Sequence, residues 1–347
     1  MTEPVPSKQR IKIPSWAKRV VPIIVSVLIL YYYFHDRNWH ELLDATRQAR
    51  LWLALLAAAT PQLVMWFTTV LLTEWTMVWF HGPFSFWKYF WVRGAIFILQ
   101  MINNPLAAGG SLLYIQRKTG IGWARLLGIM GFRFQLAIWG FSVLMIPATL
   151  AMHYYGMTEA VKINMRIWWA FLISQVIFLI GSWIFWHHKL DITLLGKVVV
   201  RDRESEFWRA FNMATPKQWL LTWAVILPQI LIALVSYYFL ARAFEVNVPF
   251  WECLVVMPLV LMIANLPIAF GGFGTTTVAW FAFFGDYGSE ENIAALTLFI
   301  PTARAVIRAV IGLVSLQPAF RDLTTLSLLS PNGADEVADA AMETKEP

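Results

Sequence analysis

Apolar positions along this chain come in long unbroken runs and seldom alternate with polar ones. Leu51–Thr73, Ile167–Trp186 and Gln218–Ala241 carry no charged side chain. Each is long enough for a helix crossing a hydrocarbon core of roughly 30 Å. A soluble helix of that length would show a polar face recurring every ~3.6 residues, and these runs lack one. Val20–Phe34 and, with internal arginine, Leu126–Met152 and the segment around Ile293–Gln317 are further apolar runs, so about six crossing helices are expected.

One run does not fit the count. Cys253–Phe284 is free of charge but is interrupted by Asn265, Pro267, Gly271, Gly272 and Gly274. As a straight helix it would reach about 48 Å at ~1.5 Å per residue. One crossing takes ~20 residues and two take ~40, and this run falls between them. Two half-length helices joined at the proline and glycines fit it, entering and leaving on one side. An earlier stretch, Phe84–Gln116, has the same form around "NNPLAAGGSLLYIQRK". Asn104-Pro105-x3-Gly109-Gly110 answers Asn265-x-Pro267-x3-Gly271-Gly272, and each is followed by a segment holding internal arginine: Arg133, then Arg304 and Arg308. The match predicts an internal repeat.

Charge orients the model. With the N-terminus inside, the first hairpin dips in from the cytoplasm and the second from outside. Lys189, Lys197, Arg201, Arg203, Arg209 and Lys217 of the linker then lie inside, with Arg117, Lys118 and Arg125. The outside loop after the second hairpin holds Asp286, Glu290 and Glu291 and no base, as the positive-inside rule requires. The loop with Arg37, Arg47 and Arg50 is balanced by Asp36, Glu41 and Asp44. The expected organisation is a basic cytoplasmic arm (1–19), a single transmembrane domain (20–320) and an acidic flexible tail (321–347). Within the domain, one repeat covers about 51–186, a linker 187–217 and a second repeat about 218–317. The fold class is all-α, six crossings and two re-entrant hairpins in an inverted repeat, in the cell (inner) membrane with both termini cytoplasmic.

Composition agrees with this picture: 59% hydrophobic, 14% charged and 19 tryptophans, many near run ends. The net charge of +6 lies mostly in the arm and the linker, beside membrane segments, so anionic headgroups explain it better than nucleic acid. The lone Cys253 excludes an intramolecular disulfide and any multi-cysteine metal site. No P-loop, HExxH or GxSxG occurs, so the familiar signatures of a pump or hydrolase are missing, and no catalytic residue or cofactor is expected. His187-His188 reads as an interfacial pair and not as a metal site.

The candidate chemistry lies where charge and broken helices meet the membrane. A helix break leaves unpaired N–H and C=O groups, and glycines let a ligand approach the backbone. Arg93, Arg133, Arg304 and Arg308 fall in or beside apolar segments, where a central charge costs at least ~2.5 kcal/mol on insertion scales. Guanidinium stays charged and grips phosphate through two parallel bonds. Bland alternatives stand beside this reading: Arg93 can snorkel, and Arg133 can pair with Glu74 or a carbonyl.

At this point the sequence resembles the transmembrane, flippase-like domain of lysylphosphatidylglycerol synthetases, over about residues 15 to 320. "NNPLAAGGSLLYIQRKTGIGW", the basic linker, "LPIAFGGFGTTTVAWFAFFG" and "ARAVIRAVIG" carry the likeness. The resemblance implies a polytopic domain that moves phospholipid-like or polyprenyl-phosphate-like molecules between leaflets. Pro105, Gly109 and Gly110 match the first family motif, Pro267, Gly272 and Gly274 the second, and Arg304 the arginine of the following helix. Thr277 stands where the family often has glutamate, a departure that bears on substrate or coupling. The aminoacyl-transferring domain is not expected, since only a short tail follows the last helix.

The leading expectation is therefore a translocase for a membrane lipid with an anionic headgroup. The candidate substrate-binding set is Asn104, Pro105, Gly109, Gly110, Arg133, Asn265, Pro267, Gly271, Gly272, Gly274, Thr277, Arg304 and Arg308. Two rivals stay open: a non-transporting partner of a lipid or cell-envelope enzyme, and a transferase using a polyprenyl-phosphate donor. A membrane-enzyme partner or a homo-oligomer is compatible with either class.

Overall fold

The computed structural model describes residues 31–32, 35, 39–102, 104–155, 205–264 and 274–324, with short pieces between 169 and 198. Regular structure in them is helical, apart from a two-residue antiparallel pairing of β1 (Thr193–Leu194) with β2 (Lys197–Val198). The all-α expectation holds. Most of Val20–Phe34, most of Ile167–Trp186, the tail after Thr324, and Asn265, Pro267, Gly271 and Gly272 lie outside the described residues.

The first helix with described bounds lies where sequence reading expects a loop. α1 (Trp39–Gln48) forms because Leu42, Ala45 and Ala49 recur on one helical face, and all three are buried. It packs against the last helix of the chain. α2 (Leu51–Phe80) runs past Glu74, where the uncharged run ends, and carries Pro61 inside it. α3 (Phe86–Ile102) and α4 (Asn104–Thr119) follow as two half-length helices, then α5 (Trp123–Tyr155). After the linker, α6 (Arg209–Met213) leads to α7 (Pro216–Ala243). Its start is well specified: Thr215 accepts from the Gln218 backbone, Gln218 returns the bond, and Pro216 holds the first helical position. α8 (Phe250–Ala264), α9 (Thr275–Phe284), a 3-10 turn (Gly285–Tyr287) and α10 (Glu290–Thr324) complete the chain.

Three helices are long and apolar enough to cross a membrane among the described residues: Leu51–Phe80, Pro216–Ala243 and Glu290–Asp322. Their outward faces are apolar. Leu55, Leu56, Leu63 and Phe67 on α2, and Val306, Val310, Leu313 and Val314 on α10, are exposed, as a lipid-facing surface requires. Lipid removes the hydrophobic drive between helices, so association rests on close fit and small residues. Gly94 on α3 faces Ser315 on α10 and Trp66 on α2, where an added Cβ would sit 2.7 Å from Ser315 Cβ and 2.8 Å from Trp66 Cζ2. Gly312 answers it from α10 against Ile98.

Helix partners are exchanged between the halves of the chain. α2 packs along α7, α3 packs against α10, and α8 packs against α5. The α3–α4 and α8–α9 pairs open at opposite ends of the bundle. At one end the Arg50 N–H donates to the Ala243 carbonyl at 2.9 Å, Asn247 N–H donates to the Tyr287 carbonyl at 2.7 Å, and the Tyr287 hydroxyl bonds Glu252. Both ends of the α8–α9 pair are there. At the other end the His81 ring contacts the Thr119 carbonyl at 3.3 Å, and Asp322 binds Tyr114 Oη at 2.5 Å and Lys118 Nζ at 3.1 Å, with Lys88 Nζ at 3.8 Å. That carboxylate ties the mouth of α3–α4 to the last turns of α10.

The linker's end docks at this second face. The Phe207 carbonyl sits directly against Gly128, where a side chain would collide with it, and Arg125 pairs with Glu206. The hydrogen bond from Arg125 holds the Glu206 carboxyl down to about 2. Asp322 is the more consequential ion-pair centre because only 9% of it is exposed. Asp322→Ala leaves the Tyr114 hydroxyl and two ammonium groups without their acceptor. The expected loss is ~1–3 kcal/mol, read as a lower melting temperature in detergent. An unchanged melting temperature would show that this contact contributes nothing.

Candidate functional site

Between the helices lies a cavity of about 620 Å³ to which α2, α3, α4, α5, α7, α8 and α10 all contribute lining residues. It gathers the four arginines of the apolar segments: Arg93 from α3, Arg133 from α5, and Arg304 and Arg308 from α10. Sequence spacing gives no reason for the first two to meet the last two, and the exchanged packing of the halves is what brings them together. Arg304 and Arg308 share a face because they lie four apart.

The partners of these cations are neutral. Arg133 donates to Thr73 Oγ1 at 2.7 Å and to the Thr69 carbonyl at 3.3 Å. Of the two alternatives, Glu74 or a carbonyl, the carbonyl is therefore the one met. Arg304 donates to the Tyr237 hydroxyl, and Arg308 Nε to Gln62 Oε1 at 3.0 Å. Arg93 and Arg308 lie over the same Phe97 ring, 4.7 and 6.0 Å from its centroid. Buried Arg93 Nη1, Arg133 Nε and Gln100 Oε1 have no hydrogen-bond partner. No aspartate or glutamate is among the described lining residues, and no described ion pair includes any of the four arginines. The sequence at 265–273, outside the described residues, carries no charge.

The rest of the lining is amphiphilic. Gln62, Gln100, Gln229, Ser111, Tyr89 and Tyr237 supply neutral polar groups, while Met65, Leu72, Met130, Phe134 and Phe141 supply apolar wall. The Tyr89 and Ser111 hydroxyls share a bond of 2.6 Å, and Thr68 donates to Gln229 at 2.6 Å. Phe134, one of the lining residues, is 69% exposed. Such a chamber can hold a negatively charged, hydrogen-bond-accepting group beside apolar chain.

The other sequence candidates fall differently. The structure moves the first break: α4 starts at Asn104, placing Pro105 in its first turn, where its missing N–H costs nothing. Gly109 and Gly110 consequently lie inside a continuous helix and not at a gap. Nothing lies within 4 Å of a Cβ built on Gly109, and Gly110 meets only Leu99 at 3.3 Å. Their neighbours Ala107, Ala108 and Ser111 line the cavity, and they do not. Gly274 caps α9 with φ of 85°, a left-handed conformation that favours glycine. Thr277 is buried in the first turn of α9 and is not among the lining residues. From the second hairpin only Leu261 is among the described residues that line the cavity; Asn265, Pro267, Gly271 and Gly272 lie outside the described residues.

Sequence reading passes over a third repeated signal. Pro61-Gln62 in α2 is matched by Pro228-Gln229 in α7, each inside an uncharged run. Both glutamines line the cavity. A helix-interior proline frees a backbone carbonyl, and membrane helices tolerate that where neighbours or a cavity satisfy it.

Comparison with known families agrees with the resemblance seen in the motifs. The model described as lysylphosphatidylglycerol synthase TM region matches residues 19–312. No curated protein matches the chain significantly.

Proposed function

Because the chain belongs to the lysylphosphatidylglycerol synthase transmembrane-region family, whose membrane domains are associated with lipid handling, we propose that it is a lipid translocase of the inner membrane. The observation that carries the reading is the cavity lined by four arginines and, among the described residues, no acid. A phosphate-bearing headgroup supplies the missing negative charge and accepts the fork-like guanidinium bonds. The acyl or prenyl chains stay against the apolar wall and reach lipid past the exposed Phe134.

The two hairpins are read as re-entrant elements of an inverted repeat, about 51–186 and 218–317 about the linker. Three matches support this: the Asn/Pro/Gly-Gly stretches, the Pro-Gln pairs in α2 and α7, and hairpins opening at opposite ends. Rocking of the halves about the central cavity would expose it to each leaflet in turn.

Reconstitution into vesicles tests the reading. Exchange of labelled anionic lipids between leaflets is expected to rise above protein-free vesicles. No rise with any anionic phospholipid or polyprenyl phosphate would leave the non-transporting partner or the transferase as the better reading. Topology gives a separate expected result. Single cysteines at Ser289 and Ser205, with Cys253 replaced, should label differently with an impermeant reagent on intact cells. Ser289 should react from outside and Ser205 only after lysis, whereas equal outside labelling would overturn the inverted arrangement.

A further inference from the structure

We infer that the lipid held in the arginine cavity carries two phosphate groups. This deepens the translocase reading and rests on it. The basis is charge balance. Four guanidinium cations line one cavity, and the described hydrogen-bond acceptors that they meet are neutral: two hydroxyls, a carbonyl, an amide and a thioether. A zwitterionic headgroup brings no net charge to such a site. A single phosphodiester would balance one cation and leave the others facing each other in a poorly screened interior, where like charges repel strongly.

The arginines enter the cavity from three helices. Arg304 and Arg308 reach in from α10, tied to α7 through Tyr237 and to α2 through Gln62. Arg133 reaches in from α5 and is held by α2. Arg93 stands beside Arg308 across the Phe97 ring, with its Nη1 unpaired. A guanidinium fork takes two oxygens of one phosphate, so four forks exceed what a single phosphate can occupy well. A cationic headgroup would call for an acid, and there is none among the described residues lining the cavity.

Two lipid sources present this chemistry: a polyprenyl diphosphate, with the phosphates adjacent, and a cardiolipin, with a glycerol between them. The test is native mass spectrometry of the full chain in mild detergent, titrated with matched probes. These are cardiolipin against phosphatidylglycerol, polyprenyl diphosphate against polyprenyl monophosphate, and phosphatidylethanolamine as the zwitterionic reference. At least one two-phosphate probe is expected to bind about tenfold more tightly than its one-phosphate counterpart, and which pair shows it identifies the source. In Arg93→Gln and Arg308→Gln, checked for unchanged melting temperature, the preference should shrink toward parity.

Equal binding within both pairs would overturn the two-phosphate inference while leaving an anionic lipid site intact. No binding of any anionic probe above phosphatidylethanolamine would overturn the translocase reading as well. A preference that survives in both folded variants would place the lipid elsewhere on the surface and overturn the assignment to this cavity. Should either variant fold poorly, competition on the wild-type chain decides: inorganic pyrophosphate should displace bound lipid at about tenfold lower concentration than inorganic phosphate, and equal potency would count against two phosphates.

Discussion

Gly94→Leu is expected to yield little folded protein, and Gly94→Ala to lower the melting temperature clearly. Gly94 stands where three helices meet, with Ser315 of α10 on one side and Trp66 of α2 on the other. Ser315 is fully buried, and the Trp66 indole is held by its bond to the Phe90 carbonyl at 3.0 Å, so neither neighbour can withdraw freely. Overpacking a tight interior costs ~1–3 kcal/mol for a few added methylene groups, and here even one Cβ lies well inside contact distance. Ser315→Gly should partly rescue Gly94→Ala, because it removes both atoms nearest the new methyl group. Gly109→Ala is the contrast. It meets nothing within 4 Å and favours the helix by ~1 kcal/mol, so its melting temperature should hold or rise. Equal losses at Gly94 and Gly109 would show that the helix contacts described for α3 and α10 are wrong.

Arg93→Met is expected to move stability and function in opposite directions. Its guanidinium is half-buried with Nη1 unpaired, and its described interaction is with the face of Phe97. Replacing a poorly compensated buried charge by an apolar side chain of similar length commonly stabilises by ~1–2 kcal/mol. Binding of an anionic headgroup should fall nonetheless, because one of the four cations is gone. That combination marks a residue kept for function at the expense of stability. Arg304→Lys tests the same idea by geometry. The ammonium keeps the charge but loses the fork, so lipid retention should drop several-fold while the protein still folds. A purely packing role would instead make Arg93→Met lower the melting temperature and Arg304→Lys nearly silent.

How far these features are legible in the sequence depends on how local they are. The long uncharged runs announce α2 and α7, and the mixed run before Gln317 announces α10, because length and apolarity are enough to identify a membrane helix. The length of Cys253–Phe284, too long for one crossing and too short for two, announces two half-length helices, and α8 and α9 pack against each other. The division of the earlier stretch into α3 and α4 is legible too, although its glycines are not at the gap. Proline at the start of a helix costs nothing, so Pro105 opens α4, and the Gly109-Gly110 pair is absorbed into it. α1 escapes notice because its charges hide a three-residue apolar face. Arg133, Arg304 and Arg308 stand out in the sequence, since charge in an apolar segment needs a reason, and all three line the cavity. Their meeting in one cavity with Arg93 is a tertiary fact that spacing cannot give. Gln62 and Gln229 are the signals most easily missed, for a lone uncharged amide barely disturbs a hydropathy profile.

The central claim is that the arginine cavity carries a phosphate-bearing headgroup across the membrane. Its most direct test is the leaflet-exchange rate of labelled phosphatidylglycerol, cardiolipin and polyprenyl diphosphate in vesicles holding equal amounts of folded wild-type or Arg93→Met protein. The expected result is exchange well above protein-free vesicles for the wild type with at least one of the three. With Arg93→Met that rate should fall toward the protein-free level although the variant melts no lower. A variant that exchanges lipid as fast as the wild type would contradict the assignment of transport to this cavity.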